Sequence, residues 1–515
     1  MFSVRFGARA LVAAALAVVS APVRAVDSSG AAGGAETSAA EGRASEVSKP
    51  LPPREGKVPA TADGGTGSLV TSVLPPRPEI PGVDIPVPGA TVTRDAMQLP
   101  RVPSEERRLA VAISEAAAVQ VSMMAWNRWV GAAPWAKISG DSIRNNLRSA
   151  WVLDGDTFWV NQFGHAYQGT WTYGAARSAG LGFWTSAAFP VVQSAIWELT
   201  GETTPPSVND QITTSVSGVV LGEALWRFAE ALRADGGTVN EVLAGVLSPM
   251  SAINAHVLGR TDRPPPSARW VLELGGIAGD APRANWPTSN PPRAYAGIDF
   301  TWGLPGDPDL TLDEPFDHFV LEASYGAAAD PVATIRARGL LVGERLEPQQ
   351  DVRGLWGLFL SYDFDTTGPY RISTAAVGVG TSGRAELAPH LALEATGIAS
   401  AVLMGAAGHV PSLPEGRDYR FGPGEQLLLD VRLRADPRVS GGVTFRQYLL
   451  VGDGPGNGTE LVLEATAGIL FRIAGPHAIG AEATRYHHRG QDGAGPMATD
   501  GGTALRVYYA IASGG

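Results

Sequence analysis

Two kinds of hydrophobic periodicity divide the chain into two folded parts. Between residues 104 and 262, apolar residues recur three and four positions apart, the spacing of one face of an α-helix. From residue 263 to residue 515, apolar and polar residues alternate, which is the spacing of a β-strand with two different faces. The sequence therefore predicts a multi-part α+β fold, in which a helical module precedes a β-structure.

The alternating segments predict about twelve antiparallel strands closed into a transmembrane β-barrel. They run over 269–274, 295–302, 318–325, 334–341, 356–364, 370–380, 390–404, 426–434, 442–450, 460–473, 478–487 and 504–511. Each has one apolar face and one face of Gly, Ser, Thr and mixed charge, as expected for lipid outside and a polar lumen inside. A soluble β-sandwich would alternate in a similar way, but here the strands are long and nearly every outward face is apolar.

Aromatic residues near the ends of these segments predict a belt at the membrane surface, where amphipathic rings are favoured. They are Trp270, Trp302, Tyr325, Trp356, Tyr362, Tyr508 and Tyr509. Charged residues fall on the other face, and we expect most of them to brace the lumen wall as ion pairs.

The helical module is predicted to begin at Ser104, which can cap a helix whose first turn carries two glutamates. This helix is expected to continue to Arg128. Further helices are predicted over 165–179, 183–200, 213–233 and 239–247.

The first hundred residues match export and spacer sequences. Residues 1–25 combine Arg5 and Arg9 with an apolar run and a small-x-small ending at Ala25, which predicts a signal peptide. Residues 26–103 are rich in Pro, Gly and Ala, which predicts a disordered tether, because too few large apolar side chains are present to offset the ordering entropy.

Composition narrows the class of protein. The chain has no Cys, which excludes disulfides, Cys-ligated metals and a cysteine nucleophile. The net charge of −11 argues against a nucleic-acid partner, since binding to phosphates needs a basic excess. Charged residues are only 18%, which fits a surface that faces lipid.

Polar residues at unusual places on the helices form the candidate site, and two interpretations remain open. In the first, His165, Glu198, Glu202 and Asp210 are catalytic and, with nearby carboxylates, could hold a divalent cation that activates water. In the second, buried ion pairs such as Arg177 with Glu198 and Arg227 with Glu223 only brace a helical bundle. The residues assigned to motifs or structure are Asp154, Asp156, Asn161, Arg177, Trp197, Asn209, Glu223 and Arg227.

The order of short motifs in this region is similar to that of a known bacterial family. The matching pieces are Trp151-Val-Leu-Asp154-Gly-Asp156, Asn161-Gln-Phe-Gly-His165, Ala176-Arg177-x-x-Gly180, Ser194-x-x-Trp197-Glu198, Glu202-x-x-x-Pro206-Ser207-x-Asn209-Asp210 and Gly222-Glu223. They resemble domain of unknown function 3943, with weaker similarity from Asn127 onward. The family pattern has Pro after the histidine, where this chain has Ala166. The resemblance implies an envelope protein of Gram-negative type and brings no activity with it.

Together these patterns predict an outer-membrane β-barrel with its helical module in the periplasm or the barrel mouth. The expected partners are outer-membrane lipid and, during insertion, the barrel-assembly machinery. The leading hypothesis is a structural, binding or transport role. The alternative is an envelope enzyme acting on lipid or glycan, in which His165 is the general base.

Overall fold

The computed structural model describes residues 104–259, 267–279, 290–327, 332–349, 351–366, 370–408, 417–436, 438–452, 458–491 and 497–513. The predicted signal peptide, 1–25, and the predicted tether, 26–103, lie outside the described residues. The two folded parts expected from the hydrophobic pattern are both present, a helical module and a closed β-barrel.

The helical module runs from residue 105 to residue 257. Its helices are α1 Glu105–Ala125, α2 Gly140–Asn146, α3 His165–Ser178, α4 Phe183–Thr200, α5 Val208–Ile212, α6 Gly218–Ala234, α7 Thr238–Leu247 and α8 Pro249–Val257. Three π-helical turns, Trp126–Val130, Val160–Gly164 and Thr213–Ser217, follow α1, precede α3 and join α5 to α6. The Ser104 cap is confirmed, because its side chain accepts a hydrogen bond from the backbone N–H of Arg107.

All twelve predicted strands are present, and several are longer than the alternation indicated. They are β1 Ala268–Gly279, β2 Asn290–Trp302, β3 Phe319–Ala327, β4 Val332–Gln349, β5 Val352–Asp365, β6 Arg371–Ala388, β7 Leu391–Gly408, β8 Arg420–Ala435, β9 Val439–Val451, β10 Thr459–Ala474, β11 His477–Gln491 and β12 Met497–Ala512. Each strand pairs antiparallel with its neighbours, and pairing of β1 with β12 closes the barrel.

Ion pairs that cross the interior identify the face of each strand that lines the lumen. Arg336 on β4 contacts Glu464 on β10 at 2.7 Å, and Arg446 on β9 contacts Glu322 on β3 at the same distance. Strands that are not neighbours in the sheet can meet in this way only through the inside of the barrel. The alternate residues of each strand therefore form the outer wall.

The outer wall is apolar and largely uncovered from β9 round to β12. Val507 and Leu505 are 67% and 56% exposed there. Trp356 and Tyr509 also lie exposed on the outer wall, as a belt requires. The belt prediction is wrong for Tyr508, whose side chain turns inward because the two residues beside it point outward.

The two ends of the barrel differ in their connections. Four hairpins, β4–β5, β6–β7, β8–β9 and β10–β11, turn with two or three residues at the end where β1 begins and β12 ends. We call this the short-turn end. At the opposite end the connections span four to eleven residues, and we call this the long-loop end. In bacterial outer-membrane barrels, short turns face the periplasm.

The helical module packs against the outer wall of the barrel. The Tyr362 hydroxyl donates to the backbone carbonyl of Gln162 at 2.7 Å, and Tyr362 points outward because its neighbour Asp363 lines the lumen. Phe228 of α6 packs on Phe300 of β2 with ring centroids 4.5 Å apart. These contacts show that the module lies against the side of the barrel. They also explain why Tyr362 is fully buried and contributes nothing to an aromatic belt.

The helices extend along the wall from one end of the barrel to the other. Next to the start of α3, Asn161 contacts Tyr419, just before β8 at the long-loop end. At the end of α3, Arg177 contacts Glu314 in the β2–β3 connection at the short-turn end. α4 returns in the opposite direction, and Phe183 at its start stacks on Phe316 of the same connection.

Candidate functional site

A buried group of polar residues lies at the long-loop end, where α3, α5 and the barrel meet. We call Asp154, Asn161, His165, Asn209 and Asp210 the polar site. His165 Nε2 lies 3.5 Å from Asp210 Oδ1, and its Nδ1 lies 3.3 Å from the Thr214 hydroxyl. All three side chains are nearly excluded from solvent. The chain thus brings two of the four predicted catalytic residues into direct contact.

Two π-helical turns position this histidine and its partners. One, 160–164, ends immediately before His165, and the other, 213–217, contains Thr214. A π-turn inserts an extra residue into a helix and rotates the residues after it, a device that often occurs at functional sites. Here the rotation directs His165 and Thr214 toward each other across the α3–α6 contact.

The remaining members of the polar site fix its loops. Asp154 Oδ1 accepts hydrogen bonds from the side-chain amides of Asn161 and Asn209. Asn209 also donates to Asp210 Oδ1 at 2.8 Å, and its own oxygen accepts from the Asp154 backbone at 3.0 Å. The Asp154, Asn161 and Asn209 motif residues are therefore positioning residues, which hold Asp210 beside His165.

The barrel supplies one residue of the site that the sequence did not reveal. The Tyr419 hydroxyl accepts from Asn161 Nδ2 and donates to the backbone carbonyl of Asp156, both at 2.8 Å. Tyr419 lies 258 residues from Asn161 along the chain. A single tyrosine at that distance gives no local signal, so only the fold could identify it.

The other two predicted catalytic residues hold a loop and do not contact His165. Glu198 Oε2 accepts from the Ser207 backbone N–H at 2.7 Å. Glu202 accepts from the Trp197 indole N–H and from the Thr204 hydroxyl. These bonds hold residues 201–207 against the end of α4. Trp197, Glu198 and Glu202 therefore stabilise this loop.

A second buried cluster occupies the short-turn end of the same helices. Glu223 accepts from Arg177 Nε at 3.0 Å, from Arg227 Nε at 2.7 Å and from the Tyr173 hydroxyl. The predicted pair of Arg227 with Glu223 is confirmed. The predicted pair of Arg177 with Glu198 is wrong, because these residues lie at opposite ends of the module.

Burial controls the protonation of the polar site. Asp210 is 4% exposed, and this burial, together with the charge of Asp154, raises its pKa well above the ordinary value. A protonated Asp210 can donate to His165, so the pair can share one proton. In the described part of the chain, no group of three or more His, Asp or Glu side chains is arranged to hold a metal ion.

These features define a class of protein, a twelve-stranded closed barrel that carries a helical module with a buried polar site on its wall. Residues 150–250 match the family model of the domain of unknown function DUF3943. This match agrees with the resemblance that the order of the motifs indicated, and the matched segment contains all five residues of the polar site.

Solved structures share the barrel only in outline. The NanC porin is 6% identical, with a TM-score of 0.27, and the match covers 46% of this chain and 98% of that one. The outer-membrane channel DcaP of Acinetobacter baumannii is 9% identical, with a TM-score of 0.24, over 48% of this chain and 96% of that one. The assignment of a barrel stands on the strand pairing alone. No curated protein matches the chain.

Proposed function

We propose that the protein is an outer-membrane component whose barrel is a closed scaffold for the helical module and does not act as an open solute channel. Its role is then structural or binding, and the helical module carries the binding chemistry. The apolar outer wall supports residence in a membrane, because a closed barrel is the form in which strands can cross hydrocarbon. The side chains inside the lumen support the closed state.

Ion pairs bridge the lumen at mid-height. Arg336 contacts both Asp365 on the neighbouring strand and Glu464 on the far wall, and all three side chains are at most 5% exposed. Glu322 binds Arg338 and Arg446 in the same layer. Charges paired this closely brace the wall, and these paired charges of the described strands are not free to select solutes.

Apolar side chains fill the lumen on both sides of this layer. Toward the long-loop end, Tyr370, Tyr448 and Tyr486 belong to one buried cluster contributed by strands all round the barrel. Toward the short-turn end, the β2–β3 connection enters the lumen. Its Leu310 is 4% exposed and packs in one buried cluster with Phe359. This plugged lumen is the observation that carries the proposal.

Conductance across a planar lipid bilayer tests the closed state. The purified full-length protein is expected to give no stable open-channel current, because ion pairs and apolar side chains of the described residues fill the lumen. Replacing Leu310 and Arg336 together with alanine removes a plug contact and the central bridge, and is expected to produce current. Stable current from the unmodified protein would refute the proposal.

Export and assembly complete the proposal. A signal peptide at 1–25 would deliver the chain to the periplasm of a Gram-negative cell, where the barrel-assembly machinery would insert it. Tyr509, exposed near the end of β12, supports recognition of this strand by the barrel-assembly machinery. The tether at 26–103 would then be periplasmic.

A second candidate function is favoured by one observation, the chain of contacts from Thr214 through His165 to Asp210. A hydroxyl, an imidazole and a carboxyl in series can move a proton, which suits a lipid- or glycan-modifying enzyme with His165 as general base. His165→Asn is then expected to abolish product formation from outer-membrane lipid, measured by mass spectrometry. Glu198→Gln should impair the fold of the loop and not the chemistry. Absence of any product from the native protein would exclude this candidate.

A further inference from the structure

We infer that α1 and α4 of the helical module lie inside the bilayer beside the barrel, with their outer faces in contact with lipid acyl chains. This inference rests on the proposed residence of the barrel in the outer membrane. It replaces the expected periplasmic position of the module.

α1 has the length and the surface of a membrane-spanning helix. Residues 105–130 form one helix long and apolar enough to cross a membrane, and only 11% of its most apolar stretch is buried. Ile113 and Val121 are 54% and 67% exposed. The single charge between Leu109 and Trp126 is Glu115, and it is turned toward the module, where it accepts a hydrogen bond from Asn254. Charged residues inside membranes show this inward pairing.

α4 presents the same kind of surface next to α1. Its eighteen residues rise about 27 Å, close to the thickness of a hydrocarbon core of about 30 Å. Trp184, Val192 and Ile196 are about half exposed or more, and the one charged residue, Glu198, is buried at its end. Gln193 donates to Gln120 of α1 at 2.7 Å, so the two helices lie side by side.

The apolar faces of these helices continue the apolar wall of the barrel at the same height. α4 starts beside Phe316 at the short-turn end, and α1 starts there too, because Arg108 donates to the backbone carbonyl of Gly180. Both helices end toward the polar site at the long-loop end. Trp126 and Trp129, at the end of α1, are 64% and 77% exposed, as expected for indoles at a membrane surface.

The polarity of the module is inverted relative to that of a water-soluble bundle. Its ionised groups Arg177, Glu223 and Arg227 are at most 5% exposed, while Val, Ile and Trp side chains are exposed. In water this arrangement would leave a large apolar patch uncovered. In lipid it satisfies the buried charges internally and leaves apolar side chains on the outer faces of α1 and α4. Acyl chains are therefore the occupant of this face.

Site-directed spin labelling tests the inference directly, because the chain has no cysteine of its own. The full-length protein would carry a single nitroxide after Ile113→Cys or Val121→Cys and be reconstituted into phosphatidylcholine vesicles. Val379→Cys on the outer wall, where the side chain is 64% exposed, is the lipid-facing control. Asp141→Cys, in the first turn of α2 with a side chain 92% exposed, is the aqueous control.

The measured quantity is the accessibility of the nitroxide to collision with oxygen and with a water-soluble nickel complex. Labels at 113 and 121 are expected to match the label at 379, with a ratio of oxygen to nickel accessibility several-fold above that at 141. If the accessibility ratio at 113 matched that at 141 while the ratio at 379 stayed high, this inference would be overturned, but membrane residence of the barrel would not. Low accessibility to both reagents, with spin–spin broadening, would show that a second copy covers the face and would also overturn it. An aqueous ratio at 379 would refute membrane residence of the barrel itself.

Discussion

A close contact between α3 and α6 at Gly169 allows a specific prediction. In the middle of the α3–α6 crossing, a Cβ placed on Gly169 would lie 2.1 Å from the Thr214 carbonyl oxygen and 2.9 Å from the Gly218 Cα. Ordinary van der Waals contacts are about 3.5 Å or longer. Because both obstructing atoms are backbone, Gly169→Ala must move α3 and α6 apart by about 1 Å or more.

The magnitude follows from two opposing effects. Overpacking a well-packed interface costs about 1–3 kcal/mol, and the upper end applies where no side chain can move aside. Alanine in a helix recovers about 1 kcal/mol relative to glycine. The net loss is then about 2 kcal/mol, which lowers the melting temperature by about 4–8 °C for a module of this size.

A glycine five residues further along the same helix is the matched control. A Cβ on Gly174 would lie 3.7 Å from the nearest atom, Cβ of Met250, which is an ordinary contact. Gly174→Ala is therefore expected to raise the melting temperature by about 1–4 °C. Thermal unfolding followed by tryptophan fluorescence in detergent measures both variants. Equal shifts in the same direction, or no loss for Gly169→Ala, would refute the close helix contact.

Three further predictions concern the buried polar groups. Glu223→Gln removes the fully buried carboxylate that Arg177 and Arg227 share, and is expected to lower the unfolding free energy by about 3–5 kcal/mol, measured by denaturant titration. Asp141→Asn, at an exposed ion pair, should cost under about 1 kcal/mol. Tyr362→Phe removes the hydroxyl that binds the Gln162 carbonyl and should increase hydrogen exchange at the start of α3 without altering exchange in the barrel; unchanged exchange would contradict wall packing. Because the pKa of Asp210 is raised on folding, stability should fall as the pH rises from its unfolded value of about 3.9 toward the raised value, and then level. Asp210→Asn should reduce that fall in a series of melting temperatures, while Glu198 and Asp156, whose pKa values burial also raises, account for the remainder. An unaltered pH dependence would show that Asp210 does not contribute.

The strands could be predicted from the sequence because successive residues of a barrel strand face the lumen and the outside alternately, so polar and apolar residues alternate. On β10, Glu460, Glu464 and their even-numbered neighbours line the lumen, while Ile469 and Phe471 lie outside. No long-range information is needed to recognise this pattern. The ends of strands were harder to place, because small residues such as those near Gly383 fit either face and carry no alternation.

The polar site was predicted in part, and the division has a physical basis. His165 and Asp210 stand out locally, since unpaired polar groups are costly on an apolar helix and must have partners. Which partners they have depends on the π-turns and on how the helices cross, neither of which periodicity reveals. Glu198 therefore looked equivalent to Asp210 in sequence, although it accepts a backbone N–H in a different loop.

Packing of the helical module on the barrel wall was not predicted, because an outward apolar face looks the same in sequence whether it meets lipid or protein. Side-chain type distinguishes the two cases on this barrel. Outer-wall positions covered by helices include the rings of Phe300 and Phe364, which interlock with rings of the module at centroid distances of 4.5 to 5.9 Å. Uncovered positions are mostly aliphatic, as at Val379, Val431 and Ile469. Aromatic rings gain extra stability from specific contacts with other rings, which a fixed protein partner can provide. Contact with fluid acyl chains stabilises a side chain only in proportion to its apolar area. On this barrel, the outward phenylalanines of β2 and β5 therefore mark the part of the wall that the helices cover.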